Sequence, residues 1–391
     1  MPAGVRLAGT VVSLVALMPG ELMDPHGPIA QRFPLVARFR PPCLPLPERV
    51  GGLVELADTA VKKSDQGLAS AVYNQAALIA SDLGLPDLAR ELCHQHAAAY
   101  IHACPLPGMC AIRGLEPVVN LARLQIRAGH ADEGRQRLLD LYEAVEAGTA
   151  ARFEGVAVPA DLTATDEDRK EVRAWLWRVL LADGTRTLTT KGRWAEAKAH
   201  IEAHRGVGKR MLDGRQVAVL AALAADDTEG ASVLLADTVP GEPWEQAVTV
   251  CLTVLCRRDA GQPVDRHLAD LVTAYSGRET EPGLTVFDIR LGLAVLDAIG
   301  TAEAPAARHI VEDLHRRTTD AHDGYAARET LGHPLFTAIA TDRQAQDCRA
   351  LAGACALGAG IMPDELQGEL ASALRASDSV IRTSLARPFN P

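Results

Sequence analysis

The stretch Cys93-His94-Gln95-His96, followed by His102, Cys104 and Cys110, gathers thiols and imidazoles at the short spacing that zinc selects. Helix geometry works against a shared ion: a helix over Asp87 to Ala103 points Cys93 and His96 to one side and His94 to another. Packing and solvated side chains are the expected roles, and no metal is expected. The turn Gly206-Val207-Gly208-Lys209-Arg210 lies ahead of a helix starting near Asp213, so backbone donors and two cations could surround an anion there. The spacing of a phosphate-binding loop is absent, Arg210 stands where a magnesium-holding hydroxyl would be needed, and no strand precedes it. Carboxylate pairs such as Asp226-Asp227, Asp297 with Glu303, and Glu312-Asp313 would divide acid and base roles only with one carboxyl desolvated. Helix caps and exposed turns explain them more simply. With no nucleophile elbow, no His-Glu-x-x-His and no kinase loop in the sequence, no catalytic residue and no cofactor is assigned.

The elements that would position such groups are helices. From about Glu48 onward apolar residues recur at spacings of three and four, broken by Gly, Pro and Asp, and the reading gives about 14 helices. A pattern of Gly followed five positions later by a small residue opens one helix after another: Gly84 with Ala89, Gly129 with Gly134, Gly192 with Ala197. Paired helices follow, Leu68 to Leu83 with Pro86 to Ala103, Ala111 to Arg127 with Asp132 to Ala147, Asp166 to Lys191 with Trp194 to His204, and Asp213 to Ala225 with Thr228 to Thr238. Between Gly148 and Thr165 the alternation of Arg152 to Pro159 suggests a short β-hairpin or an extended loop. Three further helices, Asp342 to Leu357, Pro363 to Arg375 and Ser377 to Ala386, are expected to cap the array.

The 391 residues are 48% apolar with a net charge of −10, which supports a large core and offers no general field for nucleic acid. Only 4% are aromatic, which disfavours a base-stacking or sugar-binding platform. Six Lys against 34 Arg suggests a GC-rich bacterial genome. The eight cysteines are too few for a disulfide framework in so long a chain. Leu7 to Leu17 is shorter than a membrane span, and Met18-Pro19-Gly20-Glu21 lacks a small-x-small cleavage site, so translation from Met23 is the favoured reading of this end. Residues 1–47, with Pro34, Pro41, Pro42, Pro45 and Pro47, are expected to be extended or poorly ordered. Residues 48–331 form the helical array with an insertion at 148–165, and residues 332–391 form the cap.

Over Leu68 to Arg317 these units resemble the tetratricopeptide family. Ala77 lies twelve before Ala89 and Tyr73 four before that; Val219 precedes Ala231 by the same twelve, Pro243 terminates that unit, Ala294 and Ala306 repeat the interval, and Ala197 to Ala231 spans 34 residues. The gaps from Gly84 to Gly129 and Gly192 are irregular, so the repeats are degenerate. The resemblance implies an all-α, right-handed solenoid whose first helices line a concave face, which carries Asn74, Glu116, Arg123, Arg127, Arg186, Asp213 and Gln216 into a groove, with Lys209 and Arg210 at its rim. Arg123 and Arg186, at one repeat position, are expected to clamp carboxylates or phosphates. The function so implied is a cytoplasmic scaffold or regulatory adaptor for a protein or peptide, without direct nucleic-acid contact or stable membrane insertion. The alternatives are a substrate-recognition subunit of a peptide-modifying or secondary-metabolic complex, and a helical enzyme with an unrecognised pocket.

Overall fold

A computed structural model describes residues 23–386, which are mostly helical. After the short helix α1 (Pro28–Arg32), the first half comprises α2 (Leu46–Lys63), α3 (Gln66–Asp82), α4 (Pro86–Ile101), α5 (Gly108–Arg127) and α6 (Ala131–Ala147). Next come strands β1 (Ala151–Phe153) and β2 (Val156–Val158), then α7 (Asp166–Val179). A π-helical turn, Leu180–Gly184, leads without interruption into α8 (Thr185–Thr189). The second half holds α9 (Trp194–Ala203), α10 (Asp213–Leu223), α11 (Thr228–Ala236), α12 (Pro243–Asp259), α13 (Asp265–Ser276), α14 (Thr285–Ile299) and α15 (Pro305–Asp320). It ends with α16 (Gly324–Leu331), α17 (Pro334–Ile339), α18 (Asp342–Ala354) and α19 (Asp364–Leu385).

The glycines of the repeated pattern mark where first helices stop. Gly84, Gly129 and Gly192 have φ of +79°, +94° and +67°, a left-handed conformation that glycine adopts without a Cβ clash. The small residue five positions later permits close approach: a Cβ on Gly134 would stand 2.5 Å from Ile126 Cγ1 and 2.8 Å from the Ala122 carbonyl oxygen. Ala89 and Ala197 are likewise fully buried. Most helices pack on their neighbours in sequence, whereas α2 packs chiefly on α19 and α16 on α18. The insertion forms an antiparallel β-hairpin pairing Ala151 with Val158, turned by Glu154 and Gly155, both at positive φ.

Three features depart from the sequence expectations. Residues 23–45 are no loose tail: Ala30 and Phe33 are fully buried and Leu35 nearly so, in one core with residues from Leu188 to Cys348. Beyond α1 the proline-rich segment is extended, as expected, and its backbone is satisfied from elsewhere: Gln216 bonds both Leu35 N and Leu35 O at 2.7 Å, Arg40 N donates to Gly283 O, and Cys43 N donates to Asp323 Oδ1. The last helix is also unbroken from Asp364 to Leu385, since the residues between Arg375 and Ser377 include neither Gly nor Pro and Ser377 is buried. Finally, α19 lies on α2, α3 and α4, so it covers the N-terminal hairpin instead of the far end. It shares a core with residues from Leu46 to Leu180. The two large cores therefore meet near the π turn.

Candidate functional site

On α5, Arg123 and Arg127 are one turn apart and share a face. Arg123 donates to Asp183 Oδ2 through Nε at 2.9 Å and Nη2 at 2.7 Å, and to Asn120 Oδ1 at 3.0 Å. Asn120 Nδ2 donates to Asn74 Oδ1 at 3.0 Å, and Asn74 Nδ2 donates to Glu116 Oε2 at 2.6 Å. Burial raises the Glu116 carboxyl above its ordinary pKa, against the opposing pull of the Asn74 hydrogen bond and of Arg113. Arg127 donates to Ser81 Oγ at 2.6 Å and lies 3.6 Å from Asp82 Oδ1. Asn74, Glu116, Arg123 and Arg127 thus form one polar surface across α3 and α5.

The π turn delivers the next members. Its extra residue widens the helix where Asp183 meets Arg123, a distortion often found at functional positions. One turn on, Arg186 has no hydrogen bond or ion pair from its guanidinium among the described residues. Its electrostatic neighbours are Arg290, Glu329, Arg38 and Asp183. Burial, then the like charges of Arg290 and Arg38, push its pKa down to about 10, while Glu329 and Asp183 pull the other way. Arg290 is engaged with Glu329, Nε to Oε1 at 3.1 Å, and Arg38 with Asp213 at 2.8 Å.

The remaining sequence candidates are engaged elsewhere. Asp213 pairs with Arg38, and Gln216 is fully buried against Leu35, with a further bond to Met211 O. Lys209 reaches Asp237 at 3.2 Å and Arg210 is paired with Glu245. Sequence reasoning missed Arg38, Arg40, Arg290 and Arg328. The first two carried a legible signal, since arginines two apart in an extended segment share a side.

The groups that suggested metal or acid–base chemistry are placed otherwise. Cys93 is buried and its thiol is pushed up to about 12 by that burial. His94 bonds the Glu154 carbonyl and His102 the Ala98 carbonyl. Among the described residues no three His, Cys, Asp or Glu side chains converge on one point. His96 Nε2 lies 2.8 Å from Ser70 Oγ, which has the geometry of a nucleophile and its base. Both are sealed, with exposures of 1% and 2%, and the imidazole stacks on Tyr73 at 5.1 Å. Burial drives the His96 pKa down to about 3, so the ring is a poor base. Asp227 caps α11, Asp313 pairs with Arg317 at 2.6 Å, and Asp297 pairs with Arg32 at 2.7 Å. An open groove of about 570 Å³ between α4 and α19 contains an internally paired Asp378 and Arg382.

No family model, no curated protein and no solved structure matches this chain. No helix among the described residues is long and apolar enough to cross a membrane. The functional reading therefore rests on the site's own chemistry.

Proposed function

We propose that the chain is a right-handed solenoid of tetratricopeptide-like hairpins, working in the cytoplasm as an interaction scaffold or adaptor that receives an acidic segment of a partner protein. The observation that carries this reading is Arg186, a guanidinium with no direct ion pair among the described residues, set beside Arg290 and Arg38 in a protein whose net charge is −10. An unpaired cation in a partly desolvated place is costly, and a partner carboxylate relieves that cost. Arg123 and Arg127 extend the basic wall, and both keep nearly half of their side-chain surface exposed. The array also holds an extended segment already, its own Leu35, through main-chain bonds to the amide of Gln216. That is how a groove grips a peptide independently of its side chains.

The test is selection from a random decapeptide library displayed against the full chain. The reading expects enrichment of Asp and Glu, with binding that weakens as salt rises. Recovery of neutral or basic peptides alone would overturn it.

A further inference from the structure

A second group of arginines lies where α3, α16 and the N-terminal segment meet. The phenol of Tyr325 on α16 donates to Asp82 Oδ2 at the end of α3. The charge of Asp82 is already matched by Arg49, whose Nη2 lies 2.7 Å from the same oxygen, both side chains being buried. Around this closed pair stand three more guanidiniums. Arg40, from the extended N-terminal segment, stacks with its Cζ 3.8 Å from the centre of the Tyr325 ring. Arg328, one turn of α16 from Tyr325 and exposed, has its Cζ 5.7 Å from the same centre. Arg127 completes the group from α5, within electrostatic reach of both.

The charges do not balance. Arg127 reaches Asp82 only at 3.6 Å, where Arg49 is closer, and among the described residues neither Arg40 nor Arg328 makes an ion pair. With Asp82 matched by Arg49, the one carboxylate left to these three cations among the described residues is the buried Asp323, which accepts from Cys43 N and Tyr325 N and acts on Arg40. Stacking on the ring fixes the plane of Arg40, so its N–H edge is held ready for an acceptor instead of being ordered on binding. One added carboxylate would still leave a positive charge unmatched. A phosphate ester brings roughly −1.5 to −2 and three acceptor oxygens, which suits three guanidiniums carried by three separate elements.

We propose that Arg40, Arg127 and Arg328, gathered about Tyr325, form a binding site for a phosphate monoester. The site adjoins the acidic-segment wall through Arg127 but does not depend on it, because Arg40 and Arg328 take no part in that wall. A phosphorylated residue on a partner and a small phosphorylated metabolite both present this group.

Isothermal titration of the full chain with O-phosphoserine, inorganic phosphate and succinate at equal ionic strength tests the site. O-phosphoserine should bind saturably and more tightly than succinate, and Arg328→Ala should weaken it by about 10-fold with an unchanged melting temperature. Arg328→Lys should recover part of the loss, and Arg186→Ala should leave O-phosphoserine binding as it is. Tighter binding of inorganic phosphate than of the ester would overturn the ester assignment. Equal binding of succinate, or binding indifferent to Arg328→Ala, would overturn the site. Loss of acidic-peptide binding in Arg186→Ala reports on the wall alone, so the two readings fail independently.

Discussion

Asp82 and Tyr325 stand 243 positions apart in the chain and share a buried hydrogen bond, the carboxylate of one accepting from the phenol of the other. The backbone reinforces the join: Gly358 N donates to Asp82 O and Gly360 N to Leu83 O, both at 2.7 Å. Here the end of α3 meets α16 and the loop that leads into α19.

The two side chains should differ sharply in cost. Asp82→Ala strands the buried Arg49 guanidinium and is expected to destabilise by about 3–5 kcal/mol. Tyr325→Phe removes one hydrogen bond and leaves the ion pair, so about 1–2 kcal/mol is expected. Urea unfolding of both variants checks this, and equal losses would show that Arg49 and Asp82 do not act as a pair.

Gln216→Ala should be among the costlier changes in the second half. It removes both bonds to the Leu35 main chain and leaves a buried N–H and C=O unsatisfied, a loss of about 3 kcal/mol or more. Faster hydrogen exchange at Leu35 and its neighbours should accompany the loss. Native protection there would contradict the account of how residues 23–45 are held.

Stability should fall with acid through His96. Its folded pKa is depressed to about 3 by burial, below the unfolded value of about 6.5, so above that pH both states are neutral and nothing is lost. As pH falls from about 6.5 toward 3 the unfolded chain takes up a proton that the folded ring refuses, at up to about 1.4 kcal/mol per pH unit. Between pH 7 and pH 5 this amounts to about 2 kcal/mol, and the paired change Ser70→Ala with His96→Phe should remove it. The same pH dependence in that variant would assign it to other groups.

Much of the helical order was legible in the sequence because its cues are local. The glycines after α3, α5 and α8, the small residues that follow, and the alternation around Phe153 each act within a few residues. What escaped depends on distant contacts. Nothing near Leu35 announces that Gln216 will satisfy its backbone, and the periodicity of α19 fits equally well on either end of the helical set. The basic wall was half legible for the same reason. Arg123 and Arg127 share a helical face in any helix, whereas Arg38 and Arg290 join them only through the closed tertiary path.

The central claim is that Arg186 receives a partner's carboxylate, and its most direct measurement is titration of a selected acidic decapeptide into the parent chain and into Arg186→Ala. A lost charge-assisted contact is worth about 1.5–3 kcal/mol, so affinity should drop by about 10-fold or more while the melting temperature holds. Unchanged affinity in Arg186→Ala would contradict the claim and remove Arg186 from the binding surface.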